Sequence, residues 1–516
     1  MIKTMEKVHN FEMRQDETSL DGESFPKICI IGAGFSGLCA AAQIQRKLKT
    51  INFTVYEMNK DVGGAWYSNT YPGCACDIQS HLYSFSFAQK PDWSKEFASQ
   101  PEILEYMKTV ARKFDIYKYT KFNHQVNQLK WEESERKWKV SVTDLTNDIT
   151  TEIYYDIVIN GSGELRQPQI PEEFKSFEGP LVHSAQWDAD LKLEGKTVAV
   201  VGSGATAIQL IPSIVGKVGK LLCYQRQPAW VIPSFQSRFT NFTKWSFATF
   251  PGLQSTYRKT LFLLNEVMFP VFMYSTTLSK IGNVIATGLG NYHVNNLIKN
   301  HPDIRPQLVP SYRFGCKRVG ISNKYYRALD KPNVKVISNQ IQEIGGNFIR
   351  TLDGEDEIDI LILATGFRVH DYFAPMEIIG KDGENILEKW KNDGPTGYLG
   401  ITSNSMPNLF TLLGPGSDVN HNSGIFQIEC QVNWMIKVIR EMQSRNANYF
   451  AVKKNVEIDY MNAMKNAMMK TVYGNFKCGS WFADDAKGII TALYPKSSIS
   501  YWNNTRKICV NDFDFN

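Results

Sequence analysis

The sequence predicts an α/β protein built on two parallel-sheet units, and three observations carry the prediction. Two glycine-rich turns, Gly32-Ala33-Gly34-Phe35-Ser36-Gly37 and Gly202-Ser203-Gly204-Ala205-Thr206-Ala207, begin 170 residues apart. Each follows a continuous apolar run, residues 27–31 and 197–201, of the kind that forms strands buried on both faces. Each precedes a helix-forming stretch and then a second apolar run, residues 53–56 and 221–224. In this βαβ context the first glycine makes the tight turn and the second lets the backbone approach a pyrophosphate. The third position lets helix and strand pack closely, and the helix N-terminus offers free N–H groups. At 516 residues the chain exceeds a single core, so two Rossmann-like dinucleotide-binding domains are expected.

The strand ends distinguish the two nucleotides. The first unit ends its second strand at Glu57, placed to accept hydrogen bonds from a ribose diol and to repel a 2′-phosphate, which selects FAD or NAD. The second ends in Gln225-Arg226-Gln227. Arg226 can make a bidentate contact to a 2′-phosphate and so selects NADP; an unliganded surface arginine is the plain alternative. After Glu57 come Gly63-Gly64-Ala65-Trp66, Tyr71-Pro72-Gly73 and Asp77. A glycine pair followed by a large aromatic suits a loop wrapped over a flat ring; Trp66 taken alone is more often core, and its position straight after the acidic strand end reverses that.

Composition narrows the rest. A net charge of +5 with no long basic block leaves no nucleic-acid footprint. Nine cysteines include Cys74-Ala75-Cys76, neither a redox pair nor a zinc knuckle, so free thiols in a reducing compartment are expected and no metal is. Residues 1–24 are polar, without an apolar signal core; they are expected to be disordered and the protein cytoplasmic. Residues 260–277 are apolar but interrupted by Asn265, Glu266 and Pro270, which predicts a buried or interfacial helix and no membrane span.

Four patterns together resemble the class B flavoprotein monooxygenases, and specifically the type I Baeyer–Villiger monooxygenases. They are the paired glycine turns; Gly64-Ala65-Trp66 running on to Tyr71-Pro72-Gly73-Cys74-Ala75-Cys76-Asp77; Phe177-x-Gly179-x-x-x-His183-x-x-x-Trp187-Asp188; and Ala364-Thr365-Gly366-Phe367 after an apolar strand. The glycine turns are common to many flavoproteins, whereas the His183 string is far more specific. The likeness runs from about residue 25 to 505. It implies FAD and NADPH as cofactors, O2 and a small-molecule ketone as substrates, and an ester or lactone product formed through a C4a-peroxyflavin.

The resemblance also implies roles. Arg313-Phe314-Gly315-Cys316-Lys317-Arg318 is similar to the family's catalytic segment. Arg318 would be catalytic, Asp77 would position it, and Lys317 would join Arg226 at the NADP phosphate. The implied cofactor contacts run from the first turn (Gly32, Gly34, Phe35, Ser36, Gly37) through Glu57, Gly64, Ala65, Trp66, Asp77, Tyr83 and Val126. They continue at the second turn (Gly202, Ser203, Gly204, Ala205, Thr206, Ala207) with Gln209, Arg226, Gln227, Lys317 and Trp481. Gln227 departs from the usual Ser or Thr, and Tyr494 from a common Trp. His183 is expected at a hinge between domains rather than as a base. An FAD domain of residues 25–165 and 356–516 is expected, with an NADP domain of 166–355 carrying a helical insertion near 236–310 that helps wall the substrate pocket. A monomer is expected. The rival reactions are nitrogen or sulfur oxygenation by a related class B enzyme, disulfide reduction, for which Cys74-Ala75-Cys76 has the wrong spacing, and non-catalytic redox sensing.

Overall fold

The computed structural model describes residues 25–234, 237–274, 276–475, 483–484 and 489–516. The segment 1–24, and Trp481 with its neighbours Cys478, Gly479 and Ser480, lie outside the described residues.

The first unit is a five-stranded parallel sheet in the order Leu409–Thr411, Ile157–Asn160, Ile28–Ile31, Phe53–Glu57, Thr120–Phe122. Its central strand is apolar at every position, and Ile28, Cys29 and Ile30 are fully buried. A strand covered on both faces needs that pattern. The helix Phe35–Leu48 buries Leu38, Ala40, Ala41 and Ala42 and packs against the long helix Gly424–Ser444. Small alanines allow that close approach. Since Leu409–Thr411 comes from the C-terminal third, this unit is assembled from two separate stretches of chain.

The second unit is also a five-stranded parallel sheet, ordered Val334–Ile337, Lys220–Tyr224, Thr197–Val201, Ile360–Leu363, Leu181–His183. One expectation is corrected here. Ile360–Leu363 was assigned past a boundary at residue 355, to the first unit, but it pairs between Thr197–Val201 and Leu181–His183. Strand pairing is non-local, and an apolar four-residue strand reads the same whichever sheet receives it. The chain leaves the second unit only afterwards, through Ala364-Thr365-Gly366.

A mixed sheet flanks the first unit: His124–Glu132, Lys137–Asp144 and Ile149–Tyr155 pair antiparallel in that order, and Glu377–Ile379 joins His124–Glu132 in parallel. Three helices, Asn241–Thr249, Pro251–Phe272 and Thr277–Leu297, occupy the inserted stretch of the second unit. Two buried polar groups fasten the middle helix to the first unit. Arg258 donates to the carbonyls of His81 and Leu82 at 2.6 and 3.0 Å. Glu266 accepts from His421 and Asn422, both at 2.9 Å, and from the backbone N–H groups of Ser498 and Ile499, both at 3.1 Å. A buried carboxylate needs such a donor set.

Among the described residues, seven cysteines are free thiols. Cys316 is not: it is disulfide-bonded, against the expectation of thiols throughout. Spacing along the chain does not reveal which segments the fold brings within bridging distance.

Candidate active site

The first glycine turn is tightly packed against its neighbours. Gly32 has φ +90°, and a Cβ there would meet the Gly161 carbonyl oxygen at 2.8 Å. Gly63 N–H donates to the Ala33 carbonyl at 3.0 Å, so the Gly63–Gly64 loop lies across the turn. Glu57, 3% exposed, accepts from Ala33 N–H at 2.7 Å and from the backbone and side chain of Asn59 at 2.9 and 2.6 Å. A carboxylate has about four acceptor sites. Three are used, which leaves capacity for a ribose hydroxyl. Phe35 and Tyr83 meet edge-to-face at 5.2 Å, and Trp66 Nε1 donates to the Tyr83 hydroxyl at 3.1 Å. Val126 belongs to a separate core cluster, buried with Tyr56 and Trp138.

The second turn is open. Gly202 has φ +129°, but a Cβ at Gly204 would meet nothing within 4 Å. Ser203 Oγ donates to the Gln227 carbonyl at 2.5 Å, and Lys317 Nζ donates to Gln227 Oε1 at 2.7 Å. Ser203, Gln227 and Lys317, scattered over more than a hundred residues, therefore meet at the C-terminal end of the strands Thr197–Val201 and Lys220–Tyr224, next in the chain to Arg226. Arg226 is exposed there. Ala207 is fully buried. Gln209 faces the other way: its amide accepts from Tyr71 Oη at 2.8 Å and Ala75 N–H at 3.3 Å and donates to the Ala75 carbonyl at 2.9 Å. It thereby ties the helix after the second turn to the loop that carries Asp77.

Asp77 and Arg318, 241 residues apart, form a bidentate pair across the two units. Arg318 Nε donates to Oδ2 at 2.5 Å and its terminal nitrogen to Oδ1 at 2.6 Å. Burial alone would raise the Asp77 carboxyl, but the Arg318 charge and hydrogen bonds hold it below the usual carboxylate range. Burial alone would lower Arg318, and Asp77 outweighs it and raises the guanidinium further. Protein encloses both groups, yet Arg318 and Asp77 keep 30% and 27% of their side-chain surface accessible. Groups that are both enclosed and accessible line an internal cleft.

Glu164, Asp418, Tyr83 and Tyr473 share that character. Burial pushes Glu164 well above the usual carboxylate range and Asp418 adds to the push, against the pull of Arg318. Burial likewise raises Asp418, opposed by the Val419 N–H and Arg318. Asn420 Nδ2 donates to the Tyr473 hydroxyl at 2.8 Å. Sequence reasoning missed this acidic pair, although a signal was present. Glu164 follows Gly161-Ser162-Gly163 at the C-terminal end of one parallel strand, and Asp418 follows Gly414-Pro415-Gly416 shortly beyond another. Ligands of open parallel sheets bind at those ends.

His183 ends its strand, 2% exposed. Its Nδ1 accepts from Ala185 N–H at 3.1 Å, and its ring meets Phe367 edge-to-face at 6.0 Å. It stands where the chain crosses between the units, beside Ala364-Thr365-Gly366.

The two turns fit dinucleotides. Neither helix, Phe35–Leu48 nor Ala205–Ile214, has a side-chain N-cap, so the N–H groups facing Gly34 and Gly204 remain available to phosphate oxygens. The Ser162 hydroxyl is buried without a partner beside the first turn.

The flavin-binding monooxygenase-like family model matches residues 26–242. A Baeyer–Villiger monooxygenase of Pseudomonas aeruginosa is 35% identical over 472 residues, covering 91% of this chain and 87% of that protein. One from Streptomyces coelicolor is 33% identical over 487 residues, covering 93% and 91%. Among solved structures, cyclohexanone monooxygenase from Rhodococcus sp. Phi1 bound to NADP+ matches with a TM-score of 0.82 at 25% identity, covering 96% of this chain and 99% of that one. The OTEMO complex with FAD and NADP matches with a TM-score of 0.83 at 24% identity, covering 96% and 100%. With two unlike glycine turns, the Asp77–Arg318 pair joining their units and relatives matched along nearly their whole length, the chain belongs to the Baeyer–Villiger monooxygenases of the flavin-binding monooxygenase-like family.

Proposed function

We propose that this protein is an FAD-containing, NADPH-dependent monooxygenase that inserts one atom of O2 beside the carbonyl of a small-molecule ketone, giving an ester or lactone. Two electrons come from NADPH, and the second oxygen atom leaves as water. The observation that carries the reading is the bidentate Arg318–Asp77 pair, partly accessible and joining the two units that carry the glycine turns. FAD would be held by Gly32, Gly34, Glu57 and the Gly64–Trp66 loop, and NADPH by the turn at Gly202–Thr206 with Arg226 and Lys317. The flavin, when bound, supplies the chemistry that activates oxygen.

The remaining work falls to the chain. Arg318 stays protonated at any working pH, so it offers a fixed positive charge to an oxygen anion developing in the cleft. Asp77 is a positioning residue: two hydrogen bonds fix the plane of the guanidinium. Burial disfavours the charged form of both Glu164 and Asp418, which lessens their opposition to the field of Arg318. That charge favours attack by an anionic oxygen on a carbonyl carbon over the electrophilic transfer that nitrogen and sulfur substrates need. A reducing compartment such as the cytoplasm fits the predominance of free thiols among the described residues.

The test is product analysis. The purified flavin-loaded protein, given NADPH and a panel of cyclic and linear ketones, is expected to consume NADPH and yield esters or lactones heavier than the ketone by one oxygen atom. Sulfoxides from a thioether panel with no ester from any ketone would overturn the reading.

A further inference from the structure

The three inserted helices carry an apolar face that nothing among the described residues covers. Fourteen of the twenty-three large hydrophobic side chains exposed among the described residues fall between Phe242 and Tyr292. The spacing makes them stripes. On Thr277–Leu297 the exposed positions include Ile281, Val284, Ile285 and Tyr292; on Pro251–Phe272 they include Leu264 and Val267. Steps of three and four put each set on one side of its helix. Val284 is 74% exposed and Ile285 67%, far beyond the scattered apolar exposure of an ordinary surface. The two stripes adjoin, since the helices approach so closely that a Cβ on Gly282 would lie 2.4 Å from Val271 Cγ1.

This face cannot turn inward. The opposite side of Pro251–Phe272 is fixed to the body by Arg258 and by the four donors that meet Glu266. The charges decide what covers it. Between residues 241 and 297 the ionised side chains are Lys244, Arg258, Lys259, Glu266 and Lys280. Arg258 and the one acid, Glu266, are each 7% exposed, on the inner side. What remains is Lys280, exposed, Lys244 and Lys259, half-buried, and aromatic residues including Trp245 at 55% exposure, with no further carboxylate in these helices; an acid from outside them, Asp92, stands beside Lys244. A second copy of the face would set lysine against lysine. An anionic lipid surface complements it, with apolar side chains at the acyl boundary, aromatic rings at headgroup depth and lysines on phosphates. No described helix is long and apolar enough to cross a membrane, so the contact would lie in the plane of the bilayer.

We propose that the helices Pro251–Phe272 and Thr277–Leu297 form a docking surface for an anionic lipid bilayer. The hairpin also reaches the segment that carries Arg318: Asn283 Nδ2 donates to the Phe314 carbonyl at 3.2 Å. A docked enzyme would hold its cleft next to the bilayer. The proposal does not depend on the oxygenation reading.

The test is flotation of the full-length, flavin-loaded protein with phosphatidylcholine vesicles, with or without about one-third phosphatidylserine. The wild type is expected to float with the mixed vesicles and about tenfold less with neutral ones. The double variant Val284→Glu/Ile285→Glu is expected to lose binding at least about tenfold, with flavin content and melting temperature unchanged because both side chains are exposed. Replacing Lys244, Lys259 and Lys280 with Gln should abolish the preference for phosphatidylserine. Wild-type protein that stays unbound with both vesicles, or a double variant that floats like wild type, would overturn the proposal. So would a wild-type dimer in sedimentation that the double variant converts to monomer, since the face would then belong to a second copy.

Discussion

The two glycine turns share a plan but are built to different tolerances. At the first turn a Cβ on Gly37 would sit 1.8 Å from the Gly32 carbonyl oxygen, Phe35, Ser36 and Glu57 are buried, and the Gly63–Gly64 loop covers the front. At the second turn the equivalent third position is already Ala207, Gly204 faces open space, and Arg226 stands in solvent. One turn is shaped to keep its nucleotide and the other to exchange it. This asymmetry is what an oxygenase needs if its flavin stays in place while reduced nicotinamide arrives and leaves.

The comparison can be broken by substitution. Gly37→Ala is expected to have the largest effect, because the new methyl meets backbone that cannot move aside. Flavin absorbance per protein should fall at least about tenfold, as expected for loss of more than 1.4 kcal/mol of binding. A Gly37→Ala protein that retains full flavin would refute the account of the first turn.

Glu266 tests what holds the inserted helices of the second unit to the first. Burial pushes its carboxyl up, but His421, Asn422 and the Ile499 N–H together bring it down to about 2 from an ordinary 4.5. A depressed carboxyl stabilises the fold fully above its unfolded value, and this contribution is lost as pH falls through the folded one. Glu266→Gln should therefore cost about 3 kcal/mol at neutral pH. Urea titrations should show the gap between variant and wild type closing between pH 4.5 and about 2, and a pH-independent gap would contradict the linkage.

Arg226→Ala should act on the open site alone. Charged hydrogen bonds contribute about 1.5–3 kcal/mol, so KM for NADPH should rise about 10- to 100-fold while flavin content and KM for NADH stay near wild type. Ala207→Gly should have the smallest effect. It increases the conformational entropy lost on folding and removes one buried methyl, about 1 kcal/mol in thermal stability.

Local features were legible in the sequence. Each strand–turn–helix is encoded within thirty residues, and the difference between Glu57 and Arg226 can be read at a strand end without knowing what surrounds it. Features that depend on distant segments were not. The strand Ile360–Leu363 is apolar in either sheet, so its partners could not be read from it. Glu164 and Asp418 look like ordinary loop acids until the fold closes them around Arg318. Gln209 stood among expected cofactor contacts, but its amide is engaged by Tyr71 and Ala75, which sequence separation hid. The inserted helices were expected to line a pocket because they are apolar, yet half of that character faces outward, and composition does not tell inside from outside. The pairing of Asp77 with Arg318 came through family resemblance, since the motif around each residue is unremarkable alone.

The central claim is that a fixed guanidinium at residue 318 serves oxygen transfer and not reduction. The direct measurement is a single-turnover comparison of wild type and Arg318→Ala, following flavin reduction by NADPH in the absence of air and then ester yield after O2 and ketone are added. The account predicts reduction within a few-fold of wild type and an ester yield lower by about 100- to 1,000-fold, the usual loss when one preorganised charge donor is removed. An Arg318→Ala enzyme that makes ester at the wild-type rate would contradict it.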